Sequence, residues 1–532
     1  CGLDKTHLCH FDESTMSQHV ATTTAISGSN DKKQQQQQQH VVIVGGGITG
    51  ITCAQAYRTL KPKDRITLVS QTPLLKSVFN VNKLSRTLEE FDVKECSPSD
   101  VFADGDIDIV IGTVVQVKSI TRIIHISTSS SSTSTNSTLH YDYLCMCTGA
   151  RPNVIKVNDQ LQSYIIGIRD TETVNDLKNR LQGAQRVVIV GNGGIAMELV
   201  HEITSCQVIW AIKDEHIGNA FFDMDASEFL THSRQIDSAV EETPAEPDNF
   251  VVVDRSSNEP VVMSNDASIG PQWYDRFKFI GCVDGSKINS NKVEPIIEYC
   301  TTVQSVDKGD DEWPVYVNLS NGKRYGCNFI VSATGVIPND KIEFVPSTTA
   351  PTTDNMGYIL VNDTMQTSVG CVFAAGDACH IQWSAPAPYW FQMKLWSQAR
   401  VMGRYVAQCM ATQSVGPDRK DSVDVISTVF EFELFAHVTR FFNMKVVMLG
   451  LYNSNDVATG FDPETMDVYQ RVIPGKTYVK VILKNGRMQG ALLIGETDLE
   501  ETFENLIHNQ IDLSRYGASI LDPDIDIEDY FD

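Results

Sequence analysis

Gly45, Gly47 and Gly50 stand at the spacing G-x-G-x-x-G, after the apolar run VVIV at 41–44 and before the helix-compatible ITCAQAYRTL. Each has its own use in holding a dinucleotide. Gly45 permits the tight turn, Gly47 lets the backbone approach a pyrophosphate, and Gly50 lets the helix pack closely on the strand. The helix N-terminus adds free N–H groups and a positive dipole for the phosphates. A second set, Gly191, Gly193 and Ala196, follows RVVIV at 186–190 as G-x-G-x-x-A. Both sets lead on to a second strand, ITLV at 66–69 and QVIWAI at 207–212. An acid commonly ends such a strand and binds the ribose hydroxyls. The first strand ends in Ser70, whose hydroxyl can still bond a ribose, less strongly than a carboxylate. The second ends in Ile212 and Lys213. Lys213 either receives a 2′-phosphate, as in NADP sites, or simply ends the strand in solvent, so NADH and NADPH both stay open.

Composition narrows the alternatives. The 532-residue chain is long enough for more than one domain. Its net charge of −24 argues against a large basic surface, so direct nucleic-acid binding is not expected. The sequence contains no run of about 18 apolar residues, so no membrane span is expected. No charged-then-apolar secretory pattern opens the sequence. The 13 cysteines form no C-x-x-C and no C-x-x-x-x-C, and no metal-ligand spacing stands out. Scattered cysteines in apolar strands suit reduced thiols, hence cytoplasm and/or nucleus.

The elements that must position these residues follow from the recurrence. Strand, glycine turn, helix and strand run from 41 to 70, and the same order returns from 186 to 213, which predicts two dinucleotide-binding domains. Residues 1–39, polar and ending in a glutamine run, read as a disordered tail. The Ser/Thr-rich stretch 127–138 reads as a hairpin loop inserted between two strand-like segments. Periodicity is poor at about 217–300, read as an insertion in the second domain. A third region, 430–532, combines β-rich stretches, a helix near 499–510 and an acidic, aromatic tail.

Three further motifs carry a family resemblance. YDYLCMCTGARP at 141–152 resembles the first chain crossing, out of the FAD domain, in class-I pyridine nucleotide-disulfide oxidoreductases. CNFIVSATGVIPN at 327–339 resembles the crossing back, and TSVGCVFAAGD at 367–377 the second FAD motif. With the two fingerprints, five motifs stand in the family's order. The resemblance implies an α/β fold with two Rossmann-like dinucleotide-binding domains, FAD and NAD(P), the second inserted in the first, plus a small C-terminal α/β domain. The FAD domain would comprise 40–155 and 335–425, and the NAD(P) domain 156–334.

It also implies site residues. Thr148 and Gly149 belong to the first crossing and Gly335 to the second. Gly376 precedes Asp377, which would bind a ribityl hydroxyl. A helix beginning near Tyr389 would point its N-terminus at the flavin, where its dipole favours negative charge. Lys76 corresponds to a flavin-proximal lysine of some relatives, and Glu198 to an acid near the nicotinamide. Both would be catalytic, with a surface lysine and a helix-surface acid as the plain alternatives. The implied activity is FAD-dependent oxidation of NADH or NADPH. The dithiol through which disulfide reductases pass electrons is missing, so the acceptor is open. Cys379 is the one candidate for an unusual redox role; Cys145 and Cys147 read as buried structural thiols. Trp390, Trp396 and His437 read first as core residues, with flavin shielding and proton donation as the functional alternatives. Relatives also suggest an oxidative-stress role and a protein partner, the tRNA ligase complex. Two other readings stand beside the oxidoreductase without a dithiol: a disulfide reductase with unusual cysteines, and a flavin-loaded redox sensor or protective partner.

Overall fold

In the computed structural model, residues 38–102, 105–130, 133–237, 294–339, 341–384, 387–413, 431–453, 465–473 and 475–522 are described. The expected N-terminal tail, the middle of the expected insertion and the acidic C-terminus lie outside them.

The apolar runs become the centres of two parallel sheets. In the first, the strand order is Val372–Ala374, Tyr143–Met146, His40–Val44, Arg65–Ser70 and Asp108–Ile111. The run from Val41 to Val44 is buried throughout, as expected for a strand covered on both faces. The second sheet follows the order Ile165–Ile166, Phe329–Ser332, Arg186–Val190, Gln207–Ala211 and Ile296–Glu298, again parallel. The fingerprint helices Ile48–Leu60 and Gly194–Glu202 follow the central strands. The two crossing segments meet as an antiparallel pair, Ala150–Pro152 against Val336–Pro338. This is the α/β, doubly Rossmann-like architecture that the motifs imply.

The Ser/Thr stretch forms the expected hairpin, but its strands, Ile123–Ser130 and Thr133–His140, run through most of the stretch that reads as loop. Alternating Thr and Ser suit a strand once a neighbouring ladder is present. The region read as an insertion from 217 contributes to the core up to the helix Met224–Asp237, with Phe221, Phe222 and Leu230 buried. Its periodicity was obscured because it packs against two elements at once.

The C-terminal region forms an antiparallel sheet ordered Ala436–Phe441, Met444–Gly450, Arg487–Ile494, Thr477–Lys484 and Met466–Ile473. Helix Glu500–Asn509 packs on it through Phe503, Leu506 and Ile507. Asn485 and Gly486 both have positive φ, as a two-residue hairpin turn needs. This sheet is joined to the second parallel domain by an aromatic cluster, Phe221 and Phe222 against Phe441. Beside it, the fully buried Lys480 pairs with Asp223, and Gln470 Nε2 donates to Asp225 at 2.9 Å. Removing one partner of a buried pair leaves a bare charge, at a cost of about 3–5 kcal/mol. Asp223→Ala should therefore lower the melting temperature sharply, and adding Lys480→Met should restore most of it. Equal melting temperatures for the single and double variants would remove the ion pair from this account.

Candidate active site

At the first fingerprint Gly45 has φ +126°, and a Cβ there would lie 2.0 Å from the Cys147 carbonyl oxygen. A Cβ on Gly50 would meet the Gly45 carbonyl at 2.0 Å, so helix and strand touch through their backbones. A Cβ on Gly47 would meet nothing within 4 Å. Gly47 caps the helix without a side-chain bond, and the first turn holds no acid, so the amides face that open side. Ser70 is buried against the turn, and its Oγ donates to the Thr72 carbonyl at 2.8 Å. Thr148 Oγ1 is buried with no hydrogen-bond partner among the described residues. Gly376, φ +73°, sits on the first helical turn, where a Cβ would strike Thr49 Oγ1. An open cradle beside bare amides and a partnerless hydroxyl fit the pyrophosphate and polar chain of FAD.

Asp377 is buried next to that turn and forms an ion pair with Arg169, which precedes the helix Thr171–Leu181. Arg169 was not anticipated: only the fold brings it to Asp377, 208 positions away in the sequence. Lys76 lies on the strand Leu75–Lys83, where its backbone N–H donates to the Gly46 carbonyl at 3.0 Å. Its ammonium faces Glu95 at 4.0 Å on the paired strand.

The helix expected near Tyr389 begins at Trp396 and runs to Gln413. Residues 389–395 are held by other bonds. Gln392 Nε2 and Lys394 Nζ donate to the Cys379 carbonyl, at 2.9 and 2.8 Å, and Gln398 bonds the backbone of Phe391 and Met393. Tertiary side-chain bonds thus replace the helical ladder there. Trp390 packs edge-on with Trp383 and Phe432, and Trp396 packs against the core of the second domain.

At the second fingerprint Gly191 has φ +130°, and a Cβ would lie 2.0 Å from the Ala333 carbonyl oxygen. Gly193 caps the helix without a side-chain bond, and Ala196 is fully buried at the close-packing position. A groove is lined by Gly193, Gly194, Ile195, Gly335, Val336 and Pro152, among others. The two crossings therefore border the groove of the second fingerprint. Asn192 ties down the loop after the next strand: it donates to Asp214 at 2.9 Å and accepts from the Gly218 amide at 2.6 Å. Ile212 is fully buried, whereas Lys213 is exposed.

These features agree with known proteins. The family model described as pyridine nucleotide-disulphide oxidoreductase matches residues 99–236 and 291–403. A Dictyostelium discoideum protein, pyridine nucleotide-disulfide oxidoreductase domain-containing protein 1, is 46% identical, covering 91% of this chain and 98% of its own length. The chain belongs to the pyridine nucleotide-disulfide oxidoreductase family. The human protein of the same name is 42% identical over 91% of this chain and 96% of its own. A ferredoxin reductase from Rhodopseudomonas palustris shares the fold, with a TM-score of 0.62 at 16% identity, covering 92% of this chain and 99% of its own. As a member of the family, the chain is an FAD-dependent oxidoreductase that uses NAD(P)H. No described helix is long and apolar enough to cross a membrane, and no three described His, Cys, Asp or Glu residues group as a metal site.

Most of the described thiols are buried. Among the ten described cysteines only Cys300 is exposed. Cys379 is fully buried, and burial pushes its thiol up to about 12. The sulfurs of Cys145 and Cys147 are 3.5 Å apart, and both thiols lie well above their ordinary value. A protonated thiol is a poor nucleophile. His437 lines a second groove, between the hairpin near Leu88 and the helix at Ser397. Its Nδ1 lies 3.1 Å from Ser397 Oγ, and Nε2 has no partner among the described residues. This core histidine is therefore half satisfied, and burial lowers it to about 4, so it is neutral near pH 7.

Glu198 is buried, with Oε2 unpartnered among the described residues. Burial, then the Glu202 charge, raises it well above 4.5. The folded protein keeps a proton that the unfolded chain releases above 4.5. This group's contribution to stability is present below that pH and is lost as pH rises toward the folded value. Denaturant melts of the apoprotein from pH 5 to 8 should show that decline, and Glu198→Gln should flatten it. An identical slope in the variant would mean that Glu198 ionises normally.

Proposed function

We propose that this FAD-dependent NAD(P)H oxidoreductase passes electrons from flavin to an external acceptor without a thiol relay. The observation that carries the reading is the state of the thiols near the first fingerprint: Cys379, Cys145 and Cys147 are buried and held protonated. Relays need a thiolate that is reached by its partner disulfide. The bound cofactors supply the hydride and electron transfer, and the protein's part is to bind, orient and tune them. Gly45, Gly47, Gly50 and the amides behind them would hold the FAD pyrophosphate, with Thr148 and Asp377 along the polar chain. Gly191, Gly193 and Ala196 would seat the nicotinamide dinucleotide, and Gly149 and Gly335 would let the crossings approach both. Glu198 would hold a proton near the nicotinamide.

We further place the protein in the oxidative-stress response of cytoplasm and/or nucleus, with a tRNA ligase complex as partner; this rests on the family resemblance. The disulfide-reductase reading keeps one specific support, the 3.5 Å separation of Cys145 and Cys147.

The purified protein should carry a flavin spectrum that NADH or NADPH bleaches without oxygen. Cys379→Ser and Cys147→Ser should retain NAD(P)H turnover with oxygen or a quinone. Loss of turnover in either, with flavin still bound and bleached by the nucleotide, would favour the thiol route. Lys213→Glu should raise KM for NADPH about tenfold or more while leaving NADH nearly unchanged, if the ammonium receives the 2′-phosphate. An unchanged ratio assigns Lys213 to the solvated strand end.

A further inference from the structure

Lys394 and Lys480 are the only buried lysines among the described residues. They are buried on different terms. Lys480 has Asp223 as its counter-ion. Lys394, 6% exposed, has no carboxylate within 4.0 Å among the described residues. Its Nζ donates to the Cys379 carbonyl at 2.8 Å and lies 4.1 Å from the centre of the Tyr358 ring. Tyr358 is fixed in turn, since its hydroxyl donates to the Val336 carbonyl at 2.8 Å.

An ammonium has three donors, and one carbonyl with one ring face leaves donor capacity over. Taking such an ion out of water costs several kcal/mol unless an anion answers it. Among the described carboxylates Asp377 acts on it most strongly, but Arg169 already holds that carboxylate. Burial pulls the Lys394 ammonium below its ordinary value, with Asp377 and Cys379 opposing that pull. Selection for stability alone would not keep an underpaired cation in this place. A ligand that becomes negative when it is bound and reduced accounts for it.

Position identifies the ligand. Lys394 bridges the Gly376–Ala378 turn, through the carbonyl of Cys379, and the start of the helix Trp396–Gln413. Gly376 and Asp377 are the flavin motif, and the helix N-terminus contributes a positive dipole on the same side. We propose that Lys394, rather than Lys76, is the lysine that faces the flavin ring and stabilises the negative charge the ring carries when reduced. The inference rests on the placement of FAD at Gly376 and Asp377. Lys76, by contrast, has Glu95 opposite it and its backbone on the Gly46 turn, toward the pyrophosphate end.

The test uses the flavin-loaded full chain and two readouts that do not depend on turnover: the flavin midpoint potential, and affinity for sulfite, which adds to the oxidised ring and leaves it negatively charged. Lys394→Met should lower the midpoint potential and weaken sulfite binding about tenfold or more, the scale of one close charge at a partly screened site. Lys394→Arg should recover most of both. Lys394→Gln, which keeps a donor for the Cys379 carbonyl, should behave like Lys394→Met and guards against a loss caused by packing. Wild-type potential and sulfite affinity in the Met and Gln variants would overturn the inference. So would failure of both to fold, which would assign Lys394 to the fold. Wild-type protein without a nucleotide-bleachable flavin would count against the proposed function itself.

Discussion

The two fingerprints share one backbone constraint, in the same form. A Cβ on Gly45 would stand 2.0 Å from the Cys147 carbonyl, and one on Gly191 would stand 2.0 Å from the Ala333 carbonyl. In each case the carbonyl belongs to the residue just before a Thr-Gly pair, Thr148-Gly149 or Thr334-Gly335. The glycine turn is therefore wedged against the place where the chain leaves its sheet. Any side chain at Gly45 or Gly191 would push the crossing away and also demand a φ that other residues rarely adopt. The crossings pair with each other through Ala150–Pro152 and Val336–Pro338, so both dinucleotide sites share one backbone junction. Placing two cofactors against each other requires such a fixed junction.

Much of this was legible in the sequence because it is local. A strand, a glycine turn and a helix occupy contiguous residues, and their period and spacing declare them. What stayed hidden depends on distant partners. Arg169 reaches Asp377 only because two separate segments fold together, and a single arginine before a helix carries no signal of that. Residues 389–395 have helix-compatible composition, yet Gln392, Lys394 and Gln398 bond to Cys379, Phe391 and Met393 and delay the helix to Trp396. Residues 217–237 looked aperiodic because Phe221 and Phe222 face the C-terminal sheet as well as their own domain. In the Ser/Thr stretch the hairpin was legible but its strand ends were not: composition suggests loop, while the ladder partners carry the strands through Ser130 and from Thr133.

Charge placement separates the structural from the functional interior. Lys480 with Asp223 is a compensated pair that fastens two domains. Glu198, Lys394 and His437 are buried with bonding capacity left over, and each borders the fingerprints, the flavin motif or a groove. Incompletely answered polar groups in the interior cost stability and are the expected marks of a site that completes itself with ligands. Cys145, Cys147 and Cys379 show the reverse pattern, apolar surroundings and raised proton affinity, as inert core cysteines do.

On the proposed function, flavin is the only two-electron store on the path from nucleotide to acceptor. The most direct test is anaerobic titration of the FAD-loaded protein with NADH or NADPH, with free thiols counted in denaturant before and after. The account predicts that one equivalent of nucleotide per FAD completes the reduction and that the thiol count does not change. Uptake of a second equivalent, with two new thiols per chain, would contradict it.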